Sequence, residues 1–245
     1  MANWSDPRPN ASVFQTAGTV GTDTFDAGMR RYMLSVYNYM ASAVLLTGIV
    51  ALGFFASGAA EQVFGGPGIL KWIITFAPLV FVFGMSFGQN RMSSTTLQGM
   101  FWGFAIVMGL SLSTIFIRYD GLAIAKAFFA TAAAFGGLSL YGYTTKRDLS
   151  AFGTFLVMGL VGLIVAMLLN AFFPSTIMGL VISIVGVLLF AGLTAYDTQR
   201  TKSLYAQVAG TQDEQRTVIM SALTLYLDFI NMFLFILRLF GGNRN

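Results

Sequence analysis

Apolar residues fill seven stretches of this chain, and each stretch is long enough to cross a bilayer. A helix needs about 20 mostly apolar residues to cross roughly 30 Å of hydrocarbon. The seven stretches are residues 32–56, 69–88, 97–117, 122–143, 151–173, 176–196 and 218–240. This pattern predicts an all-α membrane protein with seven transmembrane helices.

The polar segments between these stretches predict the domain organisation. Residues 1–31 are polar, rich in Gly, Ser and Thr, and show no apolar periodicity. We therefore expect a flexible cytosolic tail over residues 1–31 and a single transmembrane domain over residues 32–245. Most connections are short, and residues 197–216 are predicted to form one longer loop.

The composition excludes most soluble functions and several kinds of catalytic site. The chain is 56% hydrophobic and only 10% charged, whereas soluble domains carry about 25% charged residues. It contains no Cys and no His, which excludes thiol nucleophiles, histidine triads and imidazole zinc sites. The expected partner is the lipid bilayer and not a nucleic acid, since the basic residues are spread over short loops. Any response to pH must come from carboxyl groups.

The distribution of basic residues predicts the orientation of the chain. The side that includes the N-terminal tail carries nine of them: Arg8, Arg30, Arg31, Arg91, Lys146, Arg147, Arg200, Lys202 and Arg216. The other side carries five: Lys71, Arg118, Lys126, Arg238 and Arg244. We expect the N-terminus in the cytosol. The C-terminal residues lack an ER-retrieval signal, which favours a bacterial plasma (inner) membrane.

The seventh stretch contains an acid near its middle. A charged side chain at that depth costs about 2.5–3.5 kcal/mol, so Asp228 needs a partner, a proton or water. It belongs to a stripe of polar residues at helical spacing, namely Ser221, Thr224, Asp228, Asn231 and Arg238. Such a stripe predicts a central helix beside a polar pathway, and the alternative is a structural clamp made of interhelical hydrogen bonds.

A second acid, Asp197, follows the sixth stretch. Two carboxyl groups in contact in a low dielectric cannot both ionise and therefore share a proton, which would provide a pH sensor without His. Contact between Asp197 and Asp228 requires the sixth helix to continue towards Leu204 or the seventh to begin later than Val218. The alternative for Asp197 is an ordinary interfacial charge, and for Arg91 it is a topology marker.

Three segments give the chain a resemblance to a known family. They are Leu-Tyr-Gly-Tyr-Thr-Thr-Lys-Arg-Asp-Leu-Ser at 140–150, Ala-Tyr-Asp at 195–197 and Leu-Tyr-Leu-Asp-Phe-Ile-Asn at 225–231. With these segments the chain resembles the Bax inhibitor-1 family, and most closely its bacterial branch, over residues 25–240. The resemblance implies a pH-sensitive calcium leak with Asp197 and Asp228 as the sensor. It also implies that Arg91 acts as a latch on ionised Asp197 in the closed state.

The predicted calcium contact is weak and transient. Tight calcium sites use six to eight oxygen ligands, and Asp197 and Asp228, with Thr224 and Asn231, supply only a few. An ion that passes through must also be able to leave. We therefore expect no cofactor beyond transient Ca²⁺ and no enzymatic activity. In this hypothesis the protonation state of the aspartate pair sets whether the seventh helix closes the cytosolic mouth.

Two other functions are alternatives to a leak. Tyr196-Asp197 resembles the Tyr-Asp motif of intramembrane aspartyl proteases, but those enzymes place Gly-x-Gly before the second Asp, and Asp228 follows Leu225-Tyr226-Leu227. The stronger alternative is a regulator with no transport of its own, since some bacterial relatives are implicated in modulating a membrane-anchored ATP-dependent protease. The polar N-terminal tail would be its binding segment.

Overall fold

The computed structural model describes residues 11–241, with side chains from residue 24 onward. Its seven long helices are α1 (Ala11–Ala56), α3 (Leu70–Gly88), α4 (Ser94–Leu112), α6 (Gly121–Thr144), α7 (Ser150–Phe172), α8 (Thr176–Val208) and α9 (Glu214–Phe240). Two short helices, α2 (Ala59–Gly65) and α5 (Thr114–Arg118), lie in connections. The described chain contains no strand, and seven of its helical segments are long and apolar enough to cross a membrane. The predicted fold class is confirmed.

Three of the helices have a side-chain N-cap. Each cap lies where a polar connection ends and the helix starts. Ser93 accepts a hydrogen bond from the amide of Thr96, and Asp120 accepts one from the amide of Leu122. Ser175 does the same for Met178 at the start of α8. Each cap satisfies one of the free amides of a first turn, so these short polar connections fix where the helices start.

The last helix lies at the centre of the bundle. In the most apolar part of α9, 72% of the residues are buried, against 11–33% in the other six spans. Helices α1, α4, α6 and α8 all pack against it. Because lipid-facing residues remain exposed within a bundle, a span buried on every side must be surrounded by protein. The prediction of a central seventh transmembrane helix is confirmed.

Helix α8 extends further than its apolar pattern indicated. It continues through Asp197 to Val208, and α9 already begins at Glu214, so the loop predicted over residues 197–216 is wrong. Apolarity ends at Tyr196 because α8, at 33 residues and about 50 Å, is longer than the hydrocarbon core. The true turn is short and contains Gly210 with a φ of 70°, a backbone conformation that favours glycine.

Helix α1 also begins earlier than expected. Residues 11–31 are helical, whereas the sequence predicted a flexible tail over residues 1–31; residues 1–10 lie outside the described part. The start of the first span packs on the last turns of α8, where the rings of Phe25 and Tyr205 are 5.1 Å apart. Gly28 lets the Tyr205 hydroxyl approach the helix backbone. Contacts between residues so far apart in sequence leave no trace in apolar periodicity.

Candidate functional site at a pair of buried carboxyl groups

The structure brings the two predicted sensor residues together. Helices α8 and α9 are joined by a short turn and run antiparallel, and Asp197 and Asp228 lie on their facing sides. Both are buried, with 8% and 4% of their surface exposed. Their carboxyl groups are close enough to form a hydrogen bond. The contact depends on the continuation of α8 past Asp197, which is the condition that the sequence required.

One oxygen of this pair lacks a donor. Oδ2 of Asp228 is buried and accepts no hydrogen bond from any N–H or O–H of the described residues. A buried, unpaired carboxylate oxygen costs several kcal/mol. Such an oxygen is therefore stabilised by a proton on the pair, by water or by a cation.

A polar cavity leads to the pair from the end of the bundle where α8 and α9 are connected. It has a volume of about 610 Å³ and we call it the vestibule. Its polar wall includes Asp197, Arg200, Asp213, Arg216, Ser221 and Thr224. Asp197 lies in this wall and Asp228 lies behind it, so Asp197 is the member of the pair that solvent reaches first.

The charged residues of the vestibule differ from those predicted. Arg216 forms an ion pair with Asp213 at 2.9 Å. Arg200, one turn beyond Asp197 on α8, is close enough for its positive charge to act on the Asp197 carboxyl group. Sequence reasoning missed Arg200, although the three-residue spacing from Asp197 was a usable signal.

Arg91, the predicted latch, lies apart from the pair. It is exposed after the end of α3, and it makes no ion pair with Asp197 in the described part of the chain. Its neighbours Gln89 and Asn90 do line the vestibule. The latch therefore stays a prediction for a conformation in which the end of α3 approaches α8.

The predicted polar pathway divides into two parts. Ser221 and Thr224 line the vestibule, so they lie on the same side of α9 as the approach to Asp197. Asn231 donates a hydrogen bond to the carbonyl of Leu227 in its own helix at 2.8 Å. Arg238 lines a different cavity at the far end of α9, and ten residues of helix place it about 15 Å from Asp228 along the axis.

Close helix packing holds the two carboxyl groups in place. Gly142 of α6 lies against the carbonyl oxygen of Ala195, so α6 touches the backbone of α8 next to Asp197. On the other side of α9, the Tyr226 hydroxyl and the Thr47 hydroxyl are 2.8 Å apart, and Thr47 donates to the carbonyl of Ala105 at 2.9 Å. Small residues and interhelical hydrogen bonds of this kind are what stabilise membrane bundles.

The chemistry of the site suits a passing cation better than a resident one. The two aspartates offer four oxygens, and the hydroxyls of Ser221 and Thr224 lie along the approach. Within the residues that the structure describes, no group of three or more His, Cys, Asp or Glu side chains is placed to hold a metal ion. Six to eight oxygens are needed for tight calcium binding, and a weak, transient calcium contact at the pair stays a prediction.

Comparisons with known proteins agree with this architecture. The sequence model of the family described as "Inhibitor of apoptosis-promoting Bax1" matches residues 29–245. An uncharacterized protein of Rickettsia prowazekii is 45% identical over 222 residues, which covers 91% of this chain and 94% of that protein. The inner membrane protein YbhL of Escherichia coli is 40% identical over 220 residues, covering 89% of this chain and 94% of YbhL.

Proposed function

Since this chain belongs to the Bax inhibitor-1 family of integral membrane proteins, we propose that it is a pH-sensitive leak for calcium or similar cations. In this proposal the aspartate pair is the pH sensor and calcium is the transported ion. The protein moves an ion along a polar pathway and catalyses no covalent reaction. Its relation to YbhL supports a location in a bacterial inner membrane.

One observation carries the proposal. Asp228 Oδ2 has no donor among the described residues, although it lies beside a second carboxyl group at the inner end of the vestibule. A proton shared by the two carboxyl groups satisfies both of them, and a divalent cation that enters the vestibule competes with that proton. Cation passage and proton occupancy are thereby coupled at one place.

The pH dependence follows from the charges around Asp197. At high pH the ionised Asp197 would pair with Arg91 in the predicted latch, and the nearby positive charge of Arg200 on the same helix favours its ionised form. At lower pH, protonation of the pair removes the charge of Asp197 and releases the predicted latch, and α9 then opens the cytosolic mouth. We therefore expect faster cation flux in mild acid than in mild base.

The proposed orientation follows from the basic residues. Nine of them lie on the side of the N-terminal tail and of the vestibule, which puts both in the cytosol. The vestibule is then the cytosolic mouth of the pathway. The alternative of a non-transporting regulator of a membrane-anchored protease has no specific observation in its favour here, and it becomes the leading account if no flux is found.

The test is calcium flux into liposomes that contain the purified protein and an enclosed calcium-sensitive dye. Flux is measured at about pH 6 and about pH 8 for the wild type and for Asp228→Asn. The wild type should conduct faster at the lower pH, and Asp228→Asn should reduce the difference to within about twofold, because an amide cannot share a proton.

Asp213→Asn is the matched control, since Asp213 lies at the same vestibule but is exposed and paired with Arg216. It should keep the pH dependence of the wild type. Flux equal to that of protein-free liposomes at both pH values would contradict the leak, and an unchanged pH dependence in Asp228→Asn would contradict the sensor.

A further inference from the structure

A second large cavity lies at the opposite end of the bundle, where α8 begins and α9 ends. It has a volume of about 730 Å³, and we call it the arginine cavity. Its wall includes Arg118, Tyr119, Asn170, Ser175, Gly179 and Arg238. No Asp or Glu is among the described residues that line it.

Neither arginine of this cavity has an anionic partner in the part of the chain that the structure describes. In the described part of the chain, neither Arg118 nor Arg238 forms an ion pair or a hydrogen bond. Arg238 only lies over the ring of Phe235 on its own helix, 5.7 Å from the ring centre. Guanidinium groups remain charged at any physiological pH and match the geometry of phosphate oxygens. Two unpaired guanidinium groups in one cavity therefore form a site for an oxyanion.

The wall of the cavity also includes neutral hydrogen-bond donors. The side-chain oxygen of Asn170 accepts from the amide of Ser175 at 3.1 Å, which leaves the Asn170 NH₂ group as a donor. The first turn of the long helix α8 also lies here, with its free amides and the positive end of its dipole. The C-terminal ends of α7 and α9 offset part of this field, but they oppose two full positive charges.

The packing of Tyr119 brings the two arginines to the same cavity. Gly241, the residue after α9, lies so close to the ring of Tyr119 that a β-carbon there would overlap with it. This contact joins the segment that carries Arg118 to the end of the helix that carries Arg238. The cavity is thus built by a specific contact between distant parts of the sequence.

The position of the cavity indicates what fills it. It lies at the ends of the membrane-spanning helices, which is the level of the lipid headgroups. Its wall also includes Met167 and Leu180, which are exposed in the manner of lipid-facing residues. A phospholipid would place its phosphate between the arginines and its acyl chains along these apolar side chains.

We propose that the arginine cavity is a binding site for a phosphate group at the membrane surface opposite the aspartate pair. The ligand chemistry is a phosphate mono- or diester, supplied by an anionic phospholipid headgroup or by free phosphate. The site is independent of the proposed leak, since its residues lie at the other end of α9.

The test uses the full-length protein in detergent and measures binding by native mass spectrometry and by thermal stabilisation. The probes are dioctanoyl phosphatidylglycerol, dioctanoylglycerol, which lacks the phosphate, and inorganic phosphate. The double variant Arg118→Gln/Arg238→Gln should bind the phospholipid about tenfold more weakly or worse, because two charge-assisted contacts are lost. The control Lys146→Gln/Arg147→Gln removes two exposed cations at the other end of the bundle and should bind as the wild type does.

A second variant distinguishes loss of binding from a folding defect. In Gly179→Asp the new side chain enters open space near Asn170, in the first turn of α8 where an acid stabilises a helix. It should fold normally and still lose phospholipid binding, because its carboxylate neutralises the arginines. If inorganic phosphate competes with the phospholipid for binding, the result supports the site and indicates that a free anion can occupy it. Equal binding by the Arg118→Gln/Arg238→Gln variant and its control, or equally tight binding of dioctanoylglycerol, would overturn the proposal.

Discussion

The two ends of α9 face cavities of opposite character. At one end, the vestibule leads to two carboxyl groups that are buried between packed helices. At the other end, the arginine cavity holds two exposed guanidinium groups that have no ion-pair partner among the described residues. Buried carboxyl groups change their charge with protonation, whereas exposed guanidinium groups are permanently charged. The carboxyl end can therefore change its charge with pH, while the two arginines at the other end carry a constant positive charge.

The largest expected effect is a loss of stability from a substitution in the helix packing beside the two carboxyl groups. Gly142→Ala places a β-carbon against the backbone carbonyl of Ala195, and backbone cannot move aside as a side chain can. We expect a loss of roughly 1–3 kcal/mol in the free energy of unfolding. The measurement is thermal unfolding of the purified protein in detergent.

Gly136→Ala is the matched control on the same helix. A β-carbon at Gly136 meets no atom within 4 Å, so the substitution should leave the melting temperature unchanged or raise it slightly. Equal destabilisation by both substitutions would show that α6 does not need its close approach to α8.

The next largest effect distinguishes Arg200 from Arg91 as the cationic partner of Asp197. Arg200→Gln removes the positive charge that acts on Asp197, so the carboxyl group keeps its proton to a higher pH. The midpoint of the pH dependence of calcium flux should rise, by about one pH unit or less. Arg91→Gln, which alters an exposed residue away from the pair, should move the midpoint less. A larger shift in Arg91→Gln than in Arg200→Gln would restore Arg91 as the principal partner.

The smallest effect tests the independence of the two ends. Arg238→Gln removes a solvent-exposed charge about 15 Å along α9 from Asp228, and Coulomb energy falls with distance and with exposure to water. The midpoint of the pH dependence of calcium flux should therefore stay at the wild-type value. It is measured in the same liposome assay. A shift comparable with that of Arg200→Gln would place Arg238 in the ion pathway, as its helical spacing from Asp228 first indicated.

Much of the fold could be predicted because membrane helices follow simple physical rules. Length and apolarity identified the seven spans, and the acid within the seventh stretch indicated a helix surrounded by protein. The contact of Asp197 with Asp228 was predicted conditionally. The sequence could not say whether α8 continued, because polar residues beyond the hydrocarbon core are equally compatible with helix and with loop.

The site was harder to predict where spacing on one helix was the only guide. Arg238 shares the helical spacing of Asp228 but lies at the opposite end of α9, since a stripe of this length runs through the whole membrane. The arginine cavity could not be predicted because Arg118 and Arg238 are far apart in sequence, and the contact of Tyr119 with Gly241 joins the segments that carry them. Such tertiary contacts have no periodic signature.

The most direct test asks whether the two carboxyl groups act as one unit. Calcium flux at about pH 6 and about pH 8 is compared for the wild type, Asp197→Asn, Asp228→Asn and the double variant. If the groups share a proton, each single substitution should remove nearly all of the pH dependence, and the double variant should lose no more. Single variants that each keep part of the pH dependence, with effects that add up in the double variant, would contradict a shared proton.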